Sequence, residues 1–384
     1  MNFELTPRQK EIQAEARHFA QTRVAPLARQ MDETGQFEMG LIPEMGQLGF
    51  LTGPVSPDYG GGGLDYVSFA TVYEELGQAC SSTRGFLAVH AGLVSMCVSD
   101  WGVEAQKRKY LPRLSTGELV GCYCLTEENA GSDVAGMEAT AVKVDGGWRL
   151  DGQKIWITNG NIAGLALVFA SMDRALRHRG ICAFLVETDN PGFKRAPMPG
   201  VELGHRASDH ARIILEDCFV PDEALLGEPG QGFKIAMSAL DHGRLGVAAG
   251  ALGVAQACLD ACVDFAQKRQ QFGQRIGDFQ MIQSVIADMT ADVEAARLLV
   301  YRAAWAKDRA QPGQRTSRET SIAKLFATEV AVKAASEAVL LHGGRGYSSE
   351  YPVERYYRDI KGLQIYEGTS HIQRIVIARE VLGR

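Results

Sequence analysis

The sequence predicts an α+β multidomain chain: a helical N-terminal unit (1–120), a β unit (121–229) and a helical C-terminal unit (230–384) in succession. Three observations carry that prediction. At 384 residues the chain exceeds the usual size of a single core, so two or three packed units are expected. The hydrophobic period changes twice, from helical to strand-like near 120 and back near 229. The third region is rich in Ala and Gly, which lets helices approach closely as in a bundle.

The first helix reads from "TPRQKEIQAEARHFAQTRVAPLARQMDE", with Thr6 as N-cap and Pro7 at the first helical position. "LIPEMGQLGF" and "LDYVSFATVYEELGQA" continue the helical pattern across a break at "GPVSPDYGGGG". That Gly-rich stretch lacks the Lys-Ser/Thr ending of a phosphate loop and reads as a turn. In the middle region "WRLDGQKIWIT", "LALVFASM", "ICAFLVET" and "ARIILEDCFV" are rich in β-branched and aromatic residues, with turn residues between them. Strands at such short spacing predict a small barrel or sandwich. "GQGFKIAMSALDHGRLGVAAGALGVAQACLDACVDFAQKR" opens the last helical region, which "DRAQPGQRTSRE" interrupts with a polar break. No internal repeat is evident.

Hydrophobic residues make up 46% and charged residues 22%, ordinary for a globular protein with a large core. A formal charge of −6, without a basic stripe, argues against nucleic-acid binding. The N-terminus enters a charged helical pattern with no apolar signal core. The stretch nearest to a membrane span, 245–263, carries Gln256 and Asp260 and reads as a buried helix, so a cytoplasmic protein without membrane insertion is expected. The eight cysteines form no CxxC pair. Cys258 and Cys262 share a helix face but lack a second ligand pair, so buried reduced thiols are expected and no metal site.

Six short stretches could carry chemistry. "CYCLTEENAGSD" (122–133) takes a strand into a turn with Thr126, Asn129, Gly131 and Ser132, which suits either a pyrophosphate or an ordinary polar turn. "KIWITNG" (154–160) sets Trp156 and Thr158 on one strand face, as a cover for a flat ring or as a half-buried strand. "HGGRGYSS" (342–349) and "KRQQFGQR" (268–275) sit at helix ends, where glycines cap and basic residues complement the dipole. "DHGR" (241–244) puts Asp241 and Arg244 on one helix face, enough for a local ion pair. "LQIYEGTSHIQR" (363–374) leaves Glu367 as a helix cap or as a base held against apolar neighbours.

Taken together, in this order and spacing, these motifs resemble the acyl-CoA dehydrogenase family over essentially the whole chain. They are most similar to its short-chain, butyryl-type members. The resemblance implies a helical N-terminal domain, a middle β-barrel domain, a C-terminal four-helix bundle, bound FAD and a homotetramer. It implies that Tyr123, Leu125, Thr126, Gly131 and Ser132 line the flavin and its pyrophosphate, with Ser132 also near the thioester tail. Trp156, Ile157 and Thr158 would cover the flavin ring. Arg269, Phe272, Gln280, Gly343 and Gly344 would receive FAD across a subunit contact, and Thr369 and His371 would follow the cofactor. Asp241, Arg244, Tyr366 and Gly368 fall on the substrate side. An electron-transfer flavoprotein is the implied acceptor.

For that reaction, hydride loss from a β-carbon requires the α-proton to leave nearly in concert. An ordinary carboxylate in water is too weak a base for a thioester α-proton. An apolar pocket raises its pKa toward the working range, and hydrogen bonds to the carbonyl stabilise developing enolate charge. Ile365, Tyr366 and Gly368 supply the apolar setting around Glu367. By the resemblance, the carbonyl's partners are the Glu367 backbone N–H and a ribityl hydroxyl. Some family members carry the base just before the Arg of the "DHGR" segment; here that position is Gly243, so the role falls to Glu367.

Departures from the family pattern are Glu128 and Asn129 in the first turn, and Leu340 and His342 before the glycines. A further departure is Arg84 in "CSSTRGFLAVHAG". Glutaryl-CoA dehydrogenases, and relatives acting on carrier-bound malonyl-type units, show a similar Arg. It is expected either in a surface or interdomain ion pair or facing an oxygen-bearing acyl tail. The sequence thus predicts a short-chain acyl-thioester α,β-dehydrogenase. Its rivals are an enzyme for polar-tailed or carrier-bound acyl groups and a flavin-free interaction module.

Overall fold

The computed structural model describes residues 4–311 and 314–383. Thr6 caps the first helix: its Oγ1 accepts from the Gln9 N–H at 3.3 Å, and Gln9 Oε1 accepts from the Thr6 N–H at 2.9 Å. Helix α1 (Pro7–Phe19) passes through a π-helical turn, Ala20–Val24, into α2 (Ala25–Thr34), which Gly35 ends at φ 66°. The π turn precedes Pro26, whose missing N–H interrupts the α ladder. There follow α3 (Leu41–Gln47), α4 (Tyr66–Ala79), α5 (Ser81–Leu87), a π-helical stretch Ala88–Ser95, α6 (Met96–Trp101) and α7 (Glu104–Thr116).

The middle region is one eight-stranded sheet. Its strands are β1 (Gly121–Cys124), β2 (Thr140–Val144), β3 (Gly147–Ile157), β4 (Leu165–Ser171), β5 (Ile181–Glu187), β6 (Phe193–Pro197), β7 (Ala211–Pro221) and β8 (Leu225–Leu226). The order is β6–β7–β3–β2–β4–β5–β8, with β1 parallel to β4. Alternate residues of β1 to β7, among them Cys122, Trp148, Val168, Phe184, Ile213 and Val220, meet in one enclosed cluster, so the sheet curls around its own core. The other face of β4 and β5, with Leu165, Leu167, Phe169 and Leu185, packs on helical residues such as Leu111, Leu114 and Ile235.

The C-terminal region consists of α8 (Gly232–Lys268), a hairpin of β9 (Gln270–Gln271) and β10 (Gln274–Arg275), α9 (Gln280–Asp308), α10 (Ser317–His342), α11 (Val353–Ile365) and α12 (Ser370–Leu382). Of the expected polar break, 312–313 lie outside the described residues. The fourth long helix of the expected bundle is split into α11 and α12, and Glu367 stands in the gap. The N-terminal and C-terminal helices do not keep separate cores: Phe19, Phe50 and Leu76 belong to the same cluster as Leu252, Val300 and Ala331. Small residues make that contact possible, since a Cβ on Gly253 of α8 would lie 2.1 Å from the Glu74 carbonyl of α4. Among the described residues α8 is the one helix long and apolar enough to cross a membrane, and 78% of its apolar window is buried in the fold. All eight cysteines are buried and free.

Candidate active site

The turn between α11 and α12 answers whether Glu367 caps a helix. Tyr366 leaves α11 in extended backbone, Glu367 and Gly368 take φ 56° and 94°, and α12 begins at Ser370. The cap is Thr369, whose Oγ1 accepts from the Ile372 N–H at 3.3 Å. A left-handed Glu costs roughly 1–3 kcal/mol and persists only where its surroundings fix it. Here the Gln373 amide donates to the carbonyls of Glu367 (3.2 Å) and Gly368 (2.8 Å), and Lys324 Nζ donates to Gly368 O at 2.6 Å.

That turn drives the carboxylate inward. Oε2 of Glu367 is buried with no hydrogen-bond partner, although part of the residue reaches solvent. Opposite it stands Gly243 of α8: a Cβ there would lie 1.9 Å from Oε2 and 2.8 Å from Leu93 Cδ2. Position 243 and the Glu367 carboxylate therefore occupy the same space, and only a residue without a side chain leaves room. Burial pushes the Glu367 carboxyl up to about 7, against the pull of Arg84, Lys324 and Arg244.

Arg84 is 1% exposed and pairs with no carboxylate among the described residues, so the ion-pair reading of this residue is overturned. Its Nη2 donates to the Tyr366 hydroxyl and its guanidinium lies 5.6 Å from the centre of that ring. Nε and Nη1 are buried without partners. Gly250 makes space for the side chain, since a Cβ there would approach Arg84 Cδ to 2.6 Å. His205, on the loop between β6 and β7, lies edge-on to Tyr366 and is anchored through its backbone N–H to Asp359 Oδ1 at 2.7 Å. Burial, with the Arg84 charge beside it, holds the His205 imidazole neutral. Arg84, Tyr366 and His205 thus form a polar cluster beside Glu367.

Asp241 and Arg244 do form the local pair that their spacing allows, at 2.7 Å, but both are buried. Ser317 Oγ also donates to Asp241 at 2.7 Å, and Arg244 Nε is left without a partner.

The residues expected around a flavin fall into two groups. On the sheet, Thr126, Gly131, Ser132, Trp156 and Thr158 keep part of their surface open. Trp156 is 50% exposed at φ 57°, where the β3–β7 register shifts. The expected alternation of Ile155 and Ile157 against Trp156 and Thr158 fails at this bulge, which re-aims the indole. Ile157 is buried in the sheet core, Leu125 is buried against the helices, and the Tyr123 hydroxyl donates to Ala236 O at 3.3 Å. The side chains of these three are therefore core residues and not open to a ligand. An open indole, three hydroxyls and an uncrowded Gly131, where a Cβ would meet nothing within 4 Å, fit a flat ring with a pyrophosphate.

The second group is not brought to Glu367 within one chain. At 1.5 Å per residue Arg269 lies roughly 39 Å along α8 from Gly243, and Gly343 roughly 28 Å along α10 from Lys324. Phe272, at the hairpin tip, is 93% exposed, and Gln280, Gly343 and Gly344 are exposed as well. Thr369 serves as the cap already described, and His371 is exposed on α12.

Two buried lysines escaped the sequence reading. Lys324 clamps the Glu367 turn. Lys154, 0% exposed, donates to the Glu127 carboxylate at 2.6 Å and to Leu125 O at 3.2 Å, fixing the turn after β1. Glu127 also accepts from the Ala139 N–H at 3.1 Å. For Lys154, an interior position on a strand was the available signal; for Lys324, it was the apolar helix around it.

Comparison with known proteins covers the chain from end to end of its three regions. Family models for the acyl-CoA dehydrogenase N-terminal, middle and C-terminal domains match residues 6–118, 122–218 and 230–382. The mitochondrial short-chain specific acyl-CoA dehydrogenase of Mus musculus is 42% identical over 381 residues, covering 99% of this chain and 92% of its own. The butyryl-CoA dehydrogenase of Megasphaera elsdenii superposes with a TM-score of 0.96 at 40% identity over the full length of both chains. A glutaryl-coenzyme A dehydrogenase in complex with glutaryl-CoA superposes with a TM-score of 0.96 at 39% identity, over 100% of this chain and 97% of that one. With all three domains matched in order, the chain belongs to the acyl-CoA dehydrogenase family of FAD-dependent oxidoreductases.

Proposed function

We propose that this acyl-CoA dehydrogenase converts a short-chain acyl-CoA thioester to the trans-2-enoyl-CoA, with Glu367 removing the α-proton. The observation that carries the reading is the buried, partnerless Oε2 of Glu367, poised near pH 7 and facing a glycine. Glu367 takes an α-proton onto Oε2 while its backbone N–H holds the thioester carbonyl, a bond that strengthens as enolate charge develops. FAD, when bound, accepts the β-hydride. Thr126, Ser132, Trp156 and Thr158 hold it against the sheet, and Asp241 and Arg244 lie on the substrate side of α8. Arg269, Phe272, Gln280, Gly343 and Gly344 serve a neighbouring subunit in a homotetramer, which accounts for a phenylalanine left 93% exposed. An electron-transfer flavoprotein takes the electrons onward.

A second reading rests on Arg84: its two partnerless nitrogens favour an acyl tail that carries a carboxylate or another oxygen, on CoA or on a carrier protein. A flavin-reduction screen decides. Faster flavin reduction by butyryl-CoA than by octanoyl-CoA or glutaryl-CoA is the expected result; preference for glutaryl-CoA moves the assignment to the second reading, and no flavin reduction by any thioester overturns both.

The space at Gly243 gives a sharper test of the base geometry. Gly243→Ala is expected to lower thioester-dependent flavin reduction about 100-fold, because the new Cβ forces Oε2 aside and a displacement of about 1 Å costs that much. FAD content should stay at the wild-type level. Wild-type reduction rates in this variant would show that Oε2 does not work where it stands.

A further inference from the structure

Lys324 is a charged residue that the proposed reaction leaves without a task. It is 0% exposed, on the second turn of α10, and its ammonium donates at 2.6 Å to the carbonyl of Gly368, the residue after Glu367. Burying an ammonium against one neutral carbonyl is a costly way to hold a turn. Gln373 already donates to that carbonyl at 2.8 Å. The surplus feature of Lys324 is its charge. Arg84 and Arg244 also face Glu367, but each has another polar partner, Tyr366 and Asp241 respectively. The hydrogen bond of Lys324 goes to the catalytic turn itself.

We infer that Lys324 is a positioning residue for the base: its ammonium fixes the left-handed Glu367–Gly368 turn and biases the carboxylate toward the ionised form that takes the proton. The inference rests on Glu367 being the base. The charged and titratable groups facing Glu367 are Arg84 from α5, Arg244 from α8, Lys324 from α10, Tyr73 from α4, Tyr123 from β1 and its neighbour Tyr366. Those facing Lys324 are Glu367, Arg244 and Glu329. Removing the Lys324 cation leaves two arginines to offset the burial of the carboxylate. The proton is then held more tightly, and ionisation moves to higher pH.

The test uses FAD-loaded enzyme and follows thioester-dependent flavin reduction against pH in Lys324→Gln, Lys324→Met and Lys324→Arg, with Glu367→Gln in parallel. Lys324→Gln keeps a donor for Gly368 O and removes the charge. It is expected to raise the pH midpoint by about one unit and slow reduction near pH 7 about fivefold, with little change in KM. Lys324→Met should show the same shift with a larger rate loss, and Lys324→Arg should restore the midpoint. A wild-type midpoint in Lys324→Gln, at normal FAD content, overturns the inference even if Lys324→Met fails to fold. If Glu367→Gln is inactive while Lys324→Gln matches the wild type, only Lys324 loses its role. If Glu367→Gln reduces flavin normally, the base assignment falls first.

Discussion

Glu367→Gln is expected to lower thioester-dependent flavin bleaching by about 10³-fold or more while FAD remains bound. A positioned general base contributes about 10²–10⁴-fold, this reaction has a weakly acidic carbon, and among the described residues the charged groups facing Glu367 are all cations. Gly243 cannot substitute, and Asp241 is engaged by Arg244 and Ser317. The amide keeps the size of the carboxylate, so the turn held by Gln373 and Lys324 should survive. In the wild type the rate should rise with pH through about 7, because only the ionised carboxylate takes a proton. The same group affects stability in the opposite sense. Its folded pKa lies above the ordinary carboxyl value of 4.5, so the unfolded chain loses the proton first and stability falls as pH climbs from about 4.5 to about 7. Glu367→Gln lacks that loss, and its Tm should exceed the wild-type value at pH 8 but not at pH 4. Normal bleaching in the variant removes Glu367 from the chemistry; an equal Tm difference at both pH values removes the linkage.

What could be read in the sequence follows from how local each cause is. The Thr6 cap with Pro7 behind it, and the β-branched runs that became β3, β4, β5 and β7, depend on neighbouring residues, and they appear where the pattern puts them. Glu367 could not be settled locally, because the same residues allow a cap or a base. The decision needed Thr369 to take the Ile372 N–H, and Gly243, more than 100 positions earlier, to face Oε2. Trp156 shows a different limit: the residue was named, but a bulge that reverses the alternation depends on pairing with β7. Lys324 and Lys154 were missed because a lysine in a sequence reads as surface, and only tertiary contacts show Lys154 buried on the Glu127 carboxylate and Lys324 buried on the Gly368 carbonyl. The separate cores expected for the two helical units became one because Gly77, Gly250 and Gly253 bring α4 against α8. Such a contact has no periodic signature in either helix.

Arg84→Ala is expected to reduce kcat/KM for glutaryl-CoA about 100-fold if the acyl tail is polar, and for butyryl-CoA about tenfold or less. A charge-assisted hydrogen bond to a buried group is worth about 1.5–3 kcal/mol, and Arg84 has two nitrogens, Nε and Nη1, free to offer one. The ratio of the two losses is the informative quantity. Arg84 also draws the Glu367 carboxyl downward and holds the Tyr366 hydroxyl, so its removal leaves less of Glu367 ionised near pH 7 for every substrate. That part of the effect is common to both thioesters and cancels in the ratio. What remains is the contact between guanidinium and tail. A butyryl chain has nothing to place against Nη1 and leaves that desolvation unrelieved, whereas a glutaryl carboxylate relieves it. Losses in the two substrates that agree within about threefold would assign Arg84 to the turn and the tyrosine alone, and the short apolar chain would stand as the substrate.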